Sequence, residues 1–194
     1  MNFLAHIYLS NDNDYIKIGN FMADGIRGKD YEQYPIDIQK GILLHRAIDT
    51  FTDAHPVYRQ SKHRLHQEYG HYSGVIMDIF YDHFLAKNWL EYSTIPLDKF
   101  VSDFYQVLED NFDLLTPKTQ RLLPYMKSQN WLLNYASIEG IGAILFQMDF
   151  RTQNKSKMQY SVNELGQFYK EFEKEFGVFF IELKAFVKQK MGIL

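Results

Sequence analysis

Two stretches of the chain carry acids and histidines at helical spacing. Ile42 to Asp53 reads Ile-Leu-Leu-His-Arg-Ala-Ile-Asp-Thr-Phe-Thr-Asp, with no Pro or Gly. Residues four apart share a helix face, so His45, Asp49 and Asp53 form one stripe with Arg46 beside it. Val75 to Trp89 repeats the pattern with Asp78, Asp82 and the adjacent His83. Both stretches are rich in Ile, Leu and Phe, which predicts burial. Paired carboxylates at this spacing repel by roughly 0.2–0.5 kcal/mol on a wet helix, and by far more in apolar surroundings unless something positive compensates. A divalent metal is the expected compensation, and a phosphate ester its expected target. Imidazole plus carboxylate favours Mn²⁺, Fe²⁺ or Mg²⁺ and admits Zn²⁺.

Each of these residues also has a plainer reading. His45 could be an ordinary core histidine. His6 could simply pack beside Phe3. Asp24, next to Gly25, could cap a turn, and Asp53 could be a solvated residue at a helix end. Arg46 could be half of a salt bridge with Asp49 or Asp82. The basic run Arg59, Lys62, His63 and Arg64 reads first as surface charge.

The elements that must position these groups read as helices throughout. Asn2 can cap a short helix to Leu9, and Tyr15 to Met22 forms a second. Pro35 sits well at the first turn of a helix to Ala54, which His55-Pro56 breaks. Ser73 is placed to cap the helix carrying Asp78, Asp82 and His83. Pro96 and Thr116-Pro117 open two more, Trp131 to Tyr135 and Ile138 to Met148 follow, and Arg151 to Lys157 reads as an exposed loop. Leu165, Phe168, Phe172, Phe176, Phe179, Leu183 and Phe186 mark one long amphipathic helix over Asn163–Lys190. No alternating strand pattern runs beyond a few residues. The expectation is one all-α domain over residues 1–194, of eight or nine helices.

Composition bounds the chemistry. The 194 residues are 46% hydrophobic and 16% aromatic, which suits one well-filled core. Net charge is −3, so no global basic field draws in nucleic acid. There is no Cys, which excludes thiolate ligands and nucleophiles. The N-terminal Met-Asn-Phe-Leu-Ala-His has no basic region followed by a long apolar run, and no stretch approaches the roughly 20 apolar residues of a membrane span. A soluble, cytoplasmic protein is expected.

Four motifs resemble the acyl carrier protein phosphodiesterases: Met1-Asn-Phe-Leu-Ala-His6, Gly19-Asn-Phe-Met-Ala-Asp24-Gly-Ile-Arg27-Gly28, His45-Arg46-Ala-Ile-Asp49-Thr-Phe-Thr-Asp53 and Asp78-Ile-Phe-Tyr-Asp82-His83-Phe-Leu. Trp131-Leu-Leu-Asn-Tyr135 also fits, and the likeness runs to about Arg151. It implies a divergent HD-type metal-dependent phosphohydrolase that cuts holo acyl carrier protein into apo carrier protein and 4′-phosphopantetheine. It further implies a divalent ion in the helical core, Mn²⁺ first and Mg²⁺ or Fe²⁺ next, drawn from His6, Asp24, His45, Asp78 and Asp82. In an ordinary HD site an Asp follows the His directly, whereas here Arg46 follows His45, so the carboxylates must come from elsewhere, Asp49 included. Asp49 or Asp78 would orient or deprotonate water, Arg27 and Arg46 would stabilise phosphoryl charge, and His83 would protonate the departing serine oxygen. The acidic substrate protein calls for a basic, salt-sensitive docking surface, with Arg27, Lys29, Arg59, Lys62 and Arg64 first and Arg151, Lys155 and Lys157 second. Rival readings are an HD-type enzyme for a nucleotide or small phosphate ester, a non-catalytic carrier-protein binder, and a helical interaction module without metal.

Overall fold

The computed structural model describes residues 1–194 and contains helices and turns only. In chain order they are α1 (Phe3–Tyr8), α2 (Asp14–Met22), α3 (Ile36–Ala54), α4 (Pro56–Tyr69), α5 (Ser73–Lys87), α6 (Leu97–Asp110), α7 (Pro117–Ser128), α8 (Trp131–Asn134), α9 (Ile138–Arg151), α10 (Val162–Gln167) and α11 (Tyr169–Met191). The all-α expectation holds. Pro35 stands just before α3 and Pro56 is the first residue of α4, so each ring sits where its missing N–H costs nothing.

Two expectations of local structure change. The single long helix over Asn163–Lys190 is interrupted at Phe168, which leaves helical geometry at φ −112°, ψ 26°. The break sets the Phe168 ring against Phe172 and below the Arg64 guanidinium. Ser73 does not cap α5 as an acceptor; it is the first helical residue, and its hydroxyl donates back to the Gly70 carbonyl.

α5 is apolar nearly all round, with Ile76, Met77, Ile79, Phe80, Tyr81, Phe84 and Leu85 fully buried, and such a helix belongs inside. α11 covers it with Phe172, Phe176, Phe179, Phe180 and Leu183, the aromatic stripe read from the sequence extended by Phe180. Each large side chain so buried is worth roughly 1.5–3 kcal/mol, which makes the α5–α11 layer the anchor for weaker elements.

α1 is one of those weaker elements. Six residues cannot hold a helix in water by themselves. Asp82 of α5 supplies what is missing: Oδ2 accepts from the Leu4 amide at 2.7 Å and Ala5 at 3.4 Å, and Oδ1 from Asn2 at 3.2 Å. Asn2 caps Phe3, as its type suggests. α2 and α3 cross in closest contact because Gly19 and Gly41 meet there. A Cβ on Gly19 would run into the Ile38 carbonyl, and one on Gly41 into that of Ile16. That crossing brings Asn20 of α2 against His45 of α3.

Candidate metal centre

His6 and His45 come from helices far apart in sequence and stack face to face, ring centroids 4.0 Å apart at 19°. Asn20 fixes both. Its amide nitrogen donates to the His6 carbonyl and to Ser10 Oγ, each at 2.9 Å, so its Oδ1 must accept from His6 Nδ1 at 2.7 Å. Its main-chain carbonyl accepts from His45 Nδ1, also at 2.7 Å. Both rings are therefore held with the proton on Nδ1 and Nε2 turned to the same place, as outer partners hold metal-binding imidazoles.

At that place are two carboxylates. His45 Nε2 lies 3.1 Å from Asp24 Oδ1 and 3.1 Å from Asp49 Oδ2, and His6 Nε2 lies 3.3 Å from Asp49 Oδ1. One donor atom each from His6, His45 and Asp49 falls within 4.8 Å of the others. The histidine side chains are 3% and 9% exposed while those of Asp24 and Asp49 are 63% and 44% exposed, so the cluster is rigid behind and open in front.

The electrostatics show what is lacking. Burial opposes charge on His45, but hydrogen bonds and attraction from Asp24 and Asp49 outweigh it and raise its pKa to about 9. Burial would raise Asp49, yet its contacts with His45 and His6 hold it well below the usual carboxylate range. The His45 hydrogen bond likewise lowers Asp24. His6 is pushed down by burial and by the neighbouring ring, and its Nε2 makes no hydrogen bond although it is buried. One proton on His45 thus serves a pocket in which His6, Asp24 and Asp49 all present lone pairs. Two imidazoles and hard carboxylate oxygens, one nitrogen left orphaned, are the donor set of a divalent cation.

His45, Asp49, Thr52 and Asp53 of α3, with Asp24, Asp78 and Met1, wall a cavity of about 190 Å³. A neighbouring cavity of about 330 Å³ shares Met1, Asp24 and Asp78 with it. A larger cleft, about 720 Å³, lies elsewhere between α1, α6 and α11, and no member of the cluster lines it.

The structure brings His6, Asp24, His45 and Asp49 together. Asp78 reaches the cavity wall, but its Oδ1 accepts from the Met1 amino group at 3.0 Å and from the Tyr58 hydroxyl at 2.7 Å. Asp82 does not reach the cavity: its oxygens are spent on the amides of α1. His83 is also away from it, with Nδ1 donating to the Tyr135 carbonyl and Nε2 accepting from the Tyr169 hydroxyl, both at 2.8 Å. Arg46 turns from the cluster to pin the 26–28 turn, donating to the carbonyls of Gly28 and Ile26 and lying over the Tyr31 ring. Arg27 is exposed on that turn.

The expected docking cations divide too. Arg64 is tied to Glu175 by two bonds of 2.6 Å, Arg59 donates to the Asp53 carbonyl, and Lys62 lies over the Tyr58 ring. Arg151 instead lines the 330 Å³ cavity, together with Lys118, to which no role had been given. Asn20 and Thr52 are the other omissions. Nothing in spacing could link Asn20 to two histidines on other helices. Thr52 was within reach, since it stands one turn beyond Asp49 on the same stripe; its hydroxyl is buried without a partner.

Comparison with known proteins gives one family. The family model described as acyl carrier protein phosphodiesterase matches residues 1–183, beyond the Arg151 limit expected from motifs. Relatives named acyl carrier protein phosphodiesterase include those of Photorhabdus laumondii (34% identity, 93% of this chain and 91% of the relative), Pectobacterium atrosepticum (31%, 97% and 98%) and Enterobacter sp. (31%, 98% and 99%). No solved structure matches the chain, so the HD-like label rests on sequence resemblance alone.

Proposed function

Because this chain belongs to the acyl carrier protein phosphodiesterase family, we propose that it hydrolyses holo acyl carrier protein at the phosphodiester joining 4′-phosphopantetheine to a serine. The products are apo carrier protein and free 4′-phosphopantetheine. The observation that carries this reading within the fold is the meeting of His6, His45, Asp24 and Asp49, the last three of which line one open cavity.

A divalent cation, Mn²⁺ first and Mg²⁺ or Fe²⁺ next, would be held by Nε2 of His6 and His45 and by Asp49, with Asp24 beside them. When bound, it supplies positive charge to a phosphoryl oxygen and acidity to water. Asn20 keeps both imidazoles in the tautomer that leaves Nε2 free. Asp49, held ionised, serves as a ligand and is too weak a base to take a proton at neutral pH. Asp78, on the shared wall of the two cavities, is the carboxylate placed to orient the attacking water, and the Thr52 hydroxyl offers a second hydrogen bond there. Lys118 and Arg151 take the charge-stabilising part first expected of Arg27 and Arg46, because they line the approach. The leaving serine oxygen finds its proton at this mouth and not at His83.

No helix is long and apolar enough to cross a membrane, which fits a protein substrate delivered from solution. Incubating the metal-loaded protein with holo acyl carrier protein tests the reading: the carrier should lose the mass of phosphopantetheine. An unchanged carrier mass with metal bound would end it.

A further inference from the structure

Outside the metal cluster, the most developed feature is the 330 Å³ cavity, and we infer that it receives the pantetheine arm of the substrate. This rests on the proposed reaction. The cavity is set apart by what it joins. It shares Met1, Asp24 and Asp78 with the cluster cavity, so a phosphodiester seated at Asp24 has this cavity directly beside it for its long substituent. Its volume is at the lower end of the roughly 300–1,000 Å³ that extended small ligands occupy.

The lining matches the arm chemically. Pantetheine is a narrow chain: from the phosphate, a methylene and a gem-dimethyl carbon, a hydroxyl, two amides, then a thiol. Leu122, Trp131, Ile144 and Met148 give the cavity apolar walls for its methyl and methylene groups. Three primary amides stand in the lining, and one of them, Asn2, already spends its oxygen on the Phe3 amide. Asn134 donates its NH₂ to the Gln129 carbonyl and Gln147 its NH₂ to the Gln129 side chain. Each is left with a side-chain oxygen to accept an N–H from the arm. An acyl chain alone would find these amides a desolvation cost.

The rim fits the protein to which the arm is attached. On α9, Ala143, Gln147 and Arg151 stand four apart and line the cavity, and Phe146 and Phe150 stand beside them, 56% and 69% exposed. On α7, Lys118 and Leu122 line it and Tyr125, 60% exposed, follows one turn later. Exposed aromatics flanked by cations suit an acidic helical partner, whose attached arm then points into the space between α7 and α9.

The test uses the metal-loaded protein with 4′-phosphopantetheine itself as probe, read through the emission of Trp131, with Trp131→Phe as the spectral control. Ala143 is solvent-facing, so Ala143→Phe fills the cavity without entering the core. Gln147→Leu removes one amide acceptor. Metal affinity measured by calorimetry reports that each variant keeps its fold and cluster. Binding weakened at least tenfold by Ala143→Phe, and less by Gln147→Leu, supports the inference, and pantetheine lacking the phosphate should show the same dependence. If both variants bind 4′-phosphopantetheine as wild type does, or inorganic phosphate alone accounts for the binding, the cavity assignment is overturned, while cleavage of holo carrier protein by wild type would still uphold the reaction. If the probe binds in this variant-sensitive way but wild type leaves holo carrier protein intact, the cavity assignment stands and the proposed reaction falls.

Discussion

The acids of α3 and α5 share a spacing and differ in every neighbour. Asp49, with Asp24 beyond it, faces two imidazoles whose Nδ1 atoms are tied back, so the atoms that meet in front are lone pairs sharing one proton on His45. Asp82, one turn after Asp78 in α5, meets only donors: three main-chain amides of α1, while Asp78 takes the Met1 amino group and the Tyr58 hydroxyl. The first arrangement is short of positive charge and open to water. In the second, both acids are already paired from within the fold, Asp82 shut away and Asp78 standing on the cavity wall. A carboxylate pair in an apolar helix therefore demands compensation, and a short helix N-terminus can supply part of it without a metal.

The sharpest way to break this contrast is to remove one member from each side. His45→Ala or Asp49→Ala should lower kcat on holo carrier protein by about 10³-fold or more, with helix content by circular dichroism near wild type; a variant retaining wild-type turnover would place the metal elsewhere. Asp82→Ala should act on the fold instead. It orphans three amides at about 1–3 kcal/mol each, so urea unfolding should show a loss of about 3 kcal/mol or more, and a neutral result would mean α1 is held by something else.

The next effects are smaller. Asn20→Ala leaves all ligands and the main-chain bond to His45 in place but frees the His6 ring, and metal affinity should drop about 10–100-fold by calorimetry; full affinity would show that the Nδ1 bond of His6 does not matter. His83→Gln should keep kcat within about threefold of wild type, whereas loss of a general acid costs on the order of 10² or more.

The pH dependence of stability isolates Asp82. Burial pushes its carboxyl up to about 7, against the pull of the Met1 amine and the amides of Leu4, Ala5 and Asn2. A proton held more tightly folded than unfolded favours the fold below the unfolded pKa and gives up that advantage as pH rises through the folded one. Unfolding free energy of wild type should thus decline from about pH 5 to pH 8 relative to Asp82→Asn. Parallel curves would clear Asp82 as the source.

Helical periodicity, proline positions and the run of apolar residues in α5 and α11 determined the all-α class and most helix starts by themselves, because those signals are local. The stripe His45–Asp49–Asp53 was legible for the same reason, and the ordered motifs from Met1 to His83 were enough to suggest the family. Local pattern could not separate Asp49 from Asp82, since both sit four residues from another ionisable group in an oily helix. What decided between them was which remote atoms each one meets: the stacked His6 and the oxygens of Asn20 around α3, the amides of α1 beneath α5. Those pairings are set by the glycine-lined crossing of α2 on α3 and by the docking of a six-residue helix on a buried one. They span up to eighty positions of chain, and only the folded molecule brings such positions within reach of a hydrogen bond.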